Sequence, residues 1–335
     1  MKKDCKMNKI IGLGNALIDI LVVLNDDNLL SNIGLPKGSM QLISEPKFQE
    51  INKILSSMGA HKATGGSAAN TIQALASLCV PVGFIGKIGE DSYGNFFEES
   101  FREKGIDTRL LKDQVLNSGV ASTFISPDGE RTFGTYLGAA AELLASDLNK
   151  DIYGDYDVLY IEGYLVQNHD LILKAVKLAK SLGLKVCIDL ASYNIVLEDR
   201  AFFIHLVENY VDIVFANEEE AYAFSGYKDA QKALSYIADR CSVAIVKIGC
   251  KGSFVQCGDD TYHCEALNDR KVLDTTGAGD FFAAGFLYGY LRGFHLQECA
   301  AIGSLLSGHV IEVVGTTLSE NVWNSILEQI ESIKA

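Results

Sequence analysis

The sequence predicts an α/β protein with a doubly wound, mostly parallel central sheet, helices on both faces and a small β-sheet lid. From about residue 68 onward, short runs rich in β-branched residues alternate with segments of helical periodicity, which is the pattern of successive βαβ units. The segments 21–43 and 119–137 break this alternation, because they are strand-like and rich in turn residues but contain no helix-like stretch. We expect these two segments to form a small antiparallel flap.

The main sheet is expected to use strand-like runs at residues 82–87, 158–162, 185–189, 211–216 and 243–247. Helical segments are expected after residue 280, at 281–292, 296–310 and 319–333. The sequence contains no repeat, low-complexity tract or linker, so we expect residues 1–335 to form one domain with the flap as an insertion. Ligands of such sheets bind at the carboxyl ends of the strands, where we expect the functional residues.

The composition of the chain limits the kinds of partner and cellular location that we expect. A chain of 335 residues with 48% hydrophobic residues can bury a full core, and its formal net charge of −14 disfavours nucleic acid and membrane surfaces as partners. The apolar run 10–24 follows four lysines, but Asn15 and Asp19 interrupt it, so it is interpreted as a strand and not as a signal peptide. The eight cysteines include no Cys-x-x-Cys pair and are expected to be reduced thiols. We expect a cytoplasmic protein.

The run Asp274-Thr-Thr-Gly-Ala-Gly-Asp280 carries the strongest chemical signal. It opens directly into an apolar, helix-like segment, so the N–H groups of Gly277, Ala278 and Gly279 are expected at a helix N-terminus, where an anion is favoured. A carboxylate beside them can accept the proton of an attacking hydroxyl, as phosphoryl transfer requires. Taken alone, the run also fits a glycine turn in which Asp280 only complements the helix dipole.

Two motifs together resemble the signatures of the pfkB family, the ribokinase-like carbohydrate and nucleoside kinases. The run ending at Asp280 resembles the second signature, and Gly65-Gly-Ser-Ala-Ala-Asn70, followed by Gly86-Lys-Ile-Gly89-Glu-Asp, resembles the first. The likeness runs through nearly the whole chain. It implies a ribokinase-like fold and an ATP-dependent kinase, with Asp280 as the catalytic base and the amides of residues 277–279 as the anion hole.

The resemblance to adenosine-kinase-like members also implies a substrate-binding side. Asn15 and Asp19 are four apart on a strand-like run and are expected on one face, where Asp19 would bind sugar hydroxyls or, alternatively, make a local turn bond. Substrate contacts are implied for Gly65, Gly66 and Asn70. On the residues alone, this run could instead be only the start of a helix, with Ser67 as its N-cap residue and no contact to a substrate.

Two further substrate contacts are implied by resemblance to the same subgroup. Glu162 follows a strand, and Arg131 lies in the flap, where it closes on the transferring phosphate or is an exposed hairpin charge. A nucleoside would also need an apolar slot for its base, for which the flap offers Phe124, Phe133, Leu137 and Leu42.

The resemblance implies a nucleotide side as well. Its ATP-binding residues are Asn217, Lys247, Gly249, Gly252, Thr275, Gly277, Gly279, Ser304 and Ser307. The lysines at 247 and 251 are alternatively solvated charges. Asn217 and Glu220 have the spacing of a capping box and, by resemblance, also order Mg²⁺ through water. A K⁺ ion is implied near Asp274, Thr276, Val310, Val313, Gly315 and Ser319.

The resulting hypothesis is transfer of the ATP γ-phosphate to a primary hydroxyl of a ribose-containing small molecule, with a nucleoside such as adenosine ahead of a free sugar. A kinase for ribose, fructose or a sugar acid is the alternative within the same chemistry. A catalytically silent nucleotide- or metabolite-binding protein is the alternative from another class. We expect a monomer or a homodimer that associates through the lid.

Overall fold

The computed structural model describes residues 8–56, 58, 60–128, 130–267 and 270–333. The strands in these residues are β1 (Ile10–Leu13), β2 (Leu17–Val23), β3 (Met40–Leu42), β4 (His61–Gly65), β5 (Val82–Gly89), β6 (Asp107–Asp113), β7 (Gly119–Ile125), β8 (Arg131–Tyr136), β9 (Val158–Glu162), β10 (Lys185–Asp189), β11 (Ile213–Asn217), β12 (Val243–Lys247), β13 (Ser253–Cys257) and β14 (Asp260–Cys264).

The helices in the same residues are α1 (Asn28–Asn32), α2 (Glu45–Leu55), α3 (Ser67–Ser77), α4 (Ser92–Glu103), α5 (His169–Ser181), α6 (Tyr193–Glu198), α7 (Arg200–Asn209), α8 (Glu218–Ser225), α9 (Ala230–Ala238), α10 (Ala278–Leu291), α11 (Leu296–Val310) and α12 (Glu320–Ile333). Short 3₁₀ helices lie at Gly138–Glu142, Ala145–Asp147, Lys150–Tyr153, Gly163–Gln167 and Gly249–Lys251. Of the helices described, none combines the length and apolarity needed to cross a bilayer.

The main sheet has the strand order β14-β13-β12-β11-β10-β9-β1-β5-β6 within the described residues. The strands from β12 to β6 pair in parallel, and β13 and β14 add an antiparallel edge. The central strand β9 is buried at every residue, because helices cover both faces of the sheet. This confirms the expected α/β architecture with a mostly parallel sheet.

Two apolar clusters hold the layers together, one on each face of the main sheet. One cluster packs α3, α4, α10, α11 and α12 against the sheet and continues into the small sheet. The other packs α5 to α9 against the opposite face. The cysteines of the described residues are free thiols, and Cys5 lies outside those residues. The core therefore depends on packing between helices and sheet.

A second, smaller sheet has the order β3-β8-β7-β2-β4 and contains both segments that were expected to form the flap. Three details of the expected organisation were wrong. The segment 21–43 contains the short helix α1, although no helix was expected there. The run 10–24 is not one strand, because the chain turns at residues 14–16 and enters the second sheet with β2. The sheet is mixed and not purely antiparallel, since β2 pairs in parallel with β7 and β3 with β8. We call this small sheet the lid.

Four short connections link the lid to the main sheet and its helices. They are residues 14–16, residue 66, residues 114–118 and residue 137. The strands of the lid are thus interleaved in sequence with those of the main sheet. Gly66 alone separates lid strand β4 from helix α3 and has a φ of 102°, which favours glycine.

Candidate active site

A cleft of about 760 Å³ opens where the parallel strands end, facing the lid. The structure brings many of the predicted residues together in its lining. Those residues are Asp19, Gly66, Asn70, Asn217, Glu220, Lys247, Gly249, Gly252, Thr275, Thr276, Gly277, Ala278, Gly279, Asp280, Ser304 and Ser307. The other predicted residues lie beside or behind this lining.

The first turn of α10 lies in the cleft lining and has the geometry expected for an anion site. Gly277 is the N-cap residue with φ of 74°, and a Cβ atom there would meet Thr316 Cγ2 at 2.5 Å, so glycine is required on both counts. The N–H group of Ala278 donates to the Thr275 carbonyl (3.2 Å). No acceptor in the described residues takes the N–H groups of Gly277 and Gly279. These two free donors suit an anion at a helix N-terminus.

Asp280 is held by helix α3. Ser67 Oγ donates to its Oδ1 (2.7 Å), and Asn70 Nδ2 donates to its Oδ2 (2.9 Å). Burial raises the pKa of Asp280 to about 6, against the opposing effect of these two hydrogen bonds. Ser67 is not the N-cap of α3, a position that Gly66 occupies, so its hydroxyl is available to Asp280. The role of Ser67 was missed in the sequence.

Asp19 projects from lid strand β2 into the same cleft. Its carboxylate packs over Gly65, where any Cβ atom would overlap it. Removal from water raises the pKa of Asp19 to about 7, and the nearby charges of Asp280 and Asp274 add to the rise. Gly65 therefore acts by leaving room for Asp19, and it does not line the cleft itself.

Asn15 and Glu162 form a buried bracket behind the cleft. The Glu162 carboxylate accepts hydrogen bonds from Asn15 N (2.9 Å), Asn15 Nδ2 (2.6 Å) and Ala68 N (2.9 Å). Burial raises the pKa of Glu162 to about 7, despite these donors. The structure thus assigns to both residues contacts that fix the turn at residues 14–16 and the start of α3. The sequence had suggested that Asn15 and Asp19 lie on one strand. In the structure Asp19 lies in β2, whereas Asn15 lies in the turn before it.

Asn217 and Glu220 form a reciprocal capping box at the start of α8. Asn217 Oδ1 accepts from Glu220 N (2.8 Å), and the Glu220 carboxylate accepts from Asn217 N and Nδ2 (both 2.8 Å). Burial, followed by the charge of Asp189, raises the pKa of Glu220 to about 7. The described residues contain no group of three or more His, Cys, Asp or Glu that could hold a metal. A hydrated Mg²⁺ fits, because each carboxylate oxygen keeps a lone pair for water.

A buried ion pair that the sequence analysis did not anticipate lies across the strand ends. Lys247 Nζ is 2.8 Å from Asp189 Oδ2, and both side chains are largely buried. Lys247 ends β12 and Asp189 ends β10, so the lysine side chain reaches across the end of the intervening strand β11. Lys247 is therefore not a solvated surface charge. In the sequence, the one indication of this ion pair was that Asp189 and Lys247 each end a predicted strand.

Arg131 connects the lid to the loop before α10. Its guanidinium pairs with Asp274 Oδ2 (2.6 Å) and donates to Thr276 Oγ1 (2.7 Å). Asp274 also accepts from Thr276 N (2.9 Å) and Gly315 N (2.6 Å). Arg131 is thus neither an exposed charge nor part of the cleft lining.

The K⁺ ion expected beside Asp274 stays a prediction, because the contacts described there engage some of its groups without excluding an ion. The positive charge next to that carboxylate comes from Arg131, and both carboxylate oxygens are engaged. The carbonyl of Val310 accepts from Val313 N (3.2 Å), and the carbonyl of Ser319 accepts from Trp323 N (3.1 Å). Four of the six groups implied for the ion thus have a partner within the protein, and each of the two carbonyl oxygens keeps a second lone pair for an ion.

Strand pairing determines which lid residues share the face of Asp19. Register partners lie on one side of a sheet, and alternate residues along a strand do the same. Phe133 and Leu42 fall on the face of Asp19, whereas Phe124 lies on the opposite face and is buried in the core. Val23, Met40 and Leu42 on the Asp19 face are exposed by 72%, 57% and 66%. The lid thus presents apolar side chains on its Asp19 face.

Comparisons with known proteins agree with the two sequence motifs. The sequence profile of the pfkB family carbohydrate kinases matches residues 41–323. A 5-dehydro-2-deoxygluconokinase of Shouchella clausii is 30% identical over 277 residues, covering 77% of this chain and 85% of its own.

Two solved structures resemble the whole fold. A probable sugar kinase from Rhizobium etli has a TM-score of 0.85 with 32% identity, covering 96% of this chain and 98% of its own. An adenosine kinase from Sinorhizobium meliloti has a TM-score of 0.84 with 34% identity, covering 96% of this chain and 99% of its own.

Proposed function

The chain belongs to the pfkB family of carbohydrate kinases, and from this premise we propose that it transfers the ATP γ-phosphate to a primary hydroxyl of a neutral, ribose-containing acceptor such as a nucleoside. One observation carries the proposal. Asp280 lies in the first turn of α10 beside the free amides of Gly277 and Gly279, in the same cleft as Asp19. A base, an anion site and a group for hydroxyl recognition are thereby combined.

The chemical step follows from these positions. The carboxylate of Asp280, oriented by Ser67 and Asn70, accepts the proton of the acceptor hydroxyl. The hydroxyl oxygen forms a bond to the γ-phosphorus, the bond from that phosphorus to the β–γ bridging oxygen breaks, and ADP leaves. The amides of Gly277 and Gly279 donate to the phosphoryl oxygens, on which negative charge accumulates.

Mg²⁺ is the expected cofactor, since kinases of this family normally use it with ATP. Asn217 and Glu220 would hold it through water, and it would supply neutralisation of the phosphate charge. Within the chain, the capping box fixes both side chains at the end of β11. Asp19 would hold the hydroxyls of the acceptor while the lid excludes water.

Charge in the cleft favours a neutral acceptor over a sugar acid. Asp19 and Asp280 both line the cleft, and their mutual repulsion contributes to the raised pKa of Asp19. Three cations in or beside the cleft, Lys247, Arg131 and Arg270, are each paired with a carboxylate, those of Asp189, Asp274 and Glu312. An anionic acceptor would bring another negative charge to this region without an unpaired cation to receive it. The apolar side chains on the Asp19 face of the lid are suited to a nucleoside base.

A sugar-acid kinase is the second candidate. The relative from Shouchella clausii is a 5-dehydro-2-deoxygluconokinase, and its 30% identity over most of this chain favours that alternative. The two candidates share the phosphoryl-transfer chemistry and differ in the charge of the acceptor.

An acceptor panel separates these candidates. ADP release would be measured with Mg²⁺-ATP and adenosine, other nucleosides, ribose, fructose and 5-dehydro-2-deoxygluconate, each with K⁺ and with Na⁺. We expect the highest kcat/KM with a nucleoside. Highest kcat/KM with the sugar acid would reject the neutral acceptor and support the alternative. Ligand binding without ADP formation across the panel would reject kinase activity altogether.

The role of Asp280 is tested by Asp280→Asn. This change keeps the size of the side chain but replaces one acceptor oxygen with an N–H₂ donor and removes the base, so turnover should fall by about 10²- to 10⁴-fold. Nucleotide binding and the unfolding temperature are the controls and should stay near those of the unmodified protein. Near-normal turnover would contradict the assignment.

A further inference from the structure

The ion pair of Lys247 and Asp189 occupies a position that the proposed mechanism has not used. Both residues line the cleft together with Gly279 and Asp280. A Cβ atom added at Gly279 would lie 3.1 Å from Lys247 Nζ, so the ammonium group rests directly against the anion-site turn. The ammonium group is therefore beside one of the two free amides.

The lysine is held in place from one side only. An ammonium group has three N–H donors, and one donates to Asp189 Oδ2 (2.8 Å). Among the described residues no hydrogen-bond acceptor takes the other two. Glu220 hydrogen-bonds to Asn217, and no hydrogen bond between Glu220 and Lys247 is found in the described residues.

Asp189 is itself fixed by the backbone. Its Oδ1 accepts from Ala191 N (2.9 Å), where the chain adopts a positive φ of 63° that non-glycine residues rarely show. One carboxylate oxygen thus anchors the loop after β10 and the other orients the ammonium group. Such an arrangement supplies a preset positive charge with unused donors.

Resting on the proposed function, we propose that Lys247 is a catalytic residue that donates to the γ-phosphoryl group during transfer, and that Asp189 is its positioning residue. The ammonium group adds a full positive charge beside the free amides of Gly277 and Gly279. Negative charge develops on the phosphoryl oxygens during transfer, and a preorganised donor stabilises it more than water does. A side chain at residue 279 would crowd the ammonium group, since a Cβ atom there would lie 3.1 Å from Lys247 Nζ.

The first test compares turnover of three variants. Lys247→Met keeps the apolar stem and removes the charge, so kcat should fall about 10²- to 10³-fold. Lys247→Arg should recover part of this loss, because the charge is retained. Lys251→Ala is the matched control, since Lys251 is exposed and follows the same strand. Its kcat should stay within about twofold of the unmodified value, as for other surface changes. Equal kcat for Lys247→Met and Lys251→Ala would overturn the proposal.

A double variant separates catalysis from folding. Lys247→Met leaves Asp189 buried without its partner, which lowers stability whatever the role in catalysis. Combining it with Asp189→Asn removes both charges, so the unfolding temperature should recover while kcat stays low. Recovery of kcat together with stability would mean that the pair is only structural, and the proposal would be wrong.

The pH profile tests whether the ion pair lies close enough to Asp280 to influence its ionisation. The charge of Lys247 lowers the pKa of Asp280, and the charge of Asp189 raises it. The acid limb of kcat/KM should therefore move to higher pH in Lys247→Met and to lower pH in Asp189→Asn. Unchanged limbs in both variants would contradict contact between this pair and the reacting groups.

Binding distinguishes failure of this inference from failure of the proposed function. If the unmodified protein releases no ADP with any acceptor, the kinase proposal fails, but titration calorimetry with ATP and ADP still tests Lys247. Lys247→Met should lower the affinity for ATP at least tenfold and leave the affinity for ADP unchanged, because the proposed contact is to the γ-phosphate. Equal effects on both nucleotides, or no effect, would reject the contact.

Discussion

At the scale of single residues, the environment of Asp280 explains both its charge and its orientation. Two donors from α3 hold its carboxylate oxygens, while burial raises its pKa to about 6. A carboxyl group must be ionised to act as a base, so activity depends on keeping this pKa below the working pH. The hydrogen bonds from Ser67 and Asn70 lower the pKa of Asp280 and so oppose the effect of burial.

This predicts a shift in the acid limb of the pH profile. In the unmodified protein kcat/KM should fall as the pH drops through about 6, because Asp280 becomes protonated. Asn70→Ala and Ser67→Ala each remove a hydrogen bond that favours the ionised form, so the limb should move to higher pH. The profiles would be measured by ADP release between pH 5 and 9. Ser77→Ala at the far end of α3 is the control, and a limb that does not differ from that control would contradict the prediction.

Part of the site was predictable at this scale, because short motifs place their residues close together. Asp280 and Gly277 belong to one turn, and the turn defines the anion site by itself. Ser67, Asp189 and Lys247 come from separate strands and helices, and their contacts with one another or with Asp280 depend on tertiary packing. Sequence spacing does not give such contacts, and the position of Lys247 and Asp189 at two strand ends was too weak a signal to reveal their pair.

At the scale of elements, the lid is joined to the loop before α10 through strand β8. Arg131 lies at the start of β8, and its guanidinium contacts Asp274 and Thr276. Asp274 is almost fully buried, so its charge needs this partner in addition to its backbone donors.

Arg131→Ala should therefore lower the free energy of unfolding by about 3 kcal/mol, because a buried carboxylate loses its cation. Urea titration would measure the change. Lys37→Ala is the control, since Lys37 makes two ion pairs on the exposed surface of the lid, and such pairs contribute little. A loss in Arg131→Ala no larger than in the control would contradict a stabilising role for the pair.

The elements that the sequence mispredicted are those whose partners are distant in the chain. The run 10–24 has the composition of one strand, but the bracket of Asn15 and Glu162 turns it between two sheets. Glu162 is more than a hundred residues away, so local pattern could not reveal the break. Strands that pair in βαβ units, such as β9 to β12, were predicted closely because each is a continuous buried run.

At the scale of the whole molecule, the cleft concentrates negative charge. Burial raises the pKa of Asp19, Glu162 and Glu220 to about 7 and that of Asp280 to about 6. The folded protein therefore retains protons between pH 4 and 7 that the unfolded chain has released. Stability must fall as the pH rises through this window.

We accordingly expect the unfolding temperature without ligand to be lower at pH 8 than at pH 5. The lowered pKa of His309 makes stability rise with pH, but this single group is outweighed by the four carboxyl groups. Asp19→Asn should flatten the dependence, because one of the four groups no longer titrates. Calorimetry across this range measures the slope, and an unfolding temperature that rises with pH would contradict the linkage.

The single-residue connection at Gly66 joins the lid to helix α3, whose first turn contacts Asp280. Strand β4 ends at Gly65 and helix α3 begins at Ser67, so only Gly66 lies between the lid and the first turn of α3. That turn carries Ser67 and Asn70, which hold Asp280. The residues that orient Asp280 therefore lie within a few residues of the strand that carries the lid, so acceptor contacts in the lid and the orientation of Asp280 depend on the same short stretch of chain.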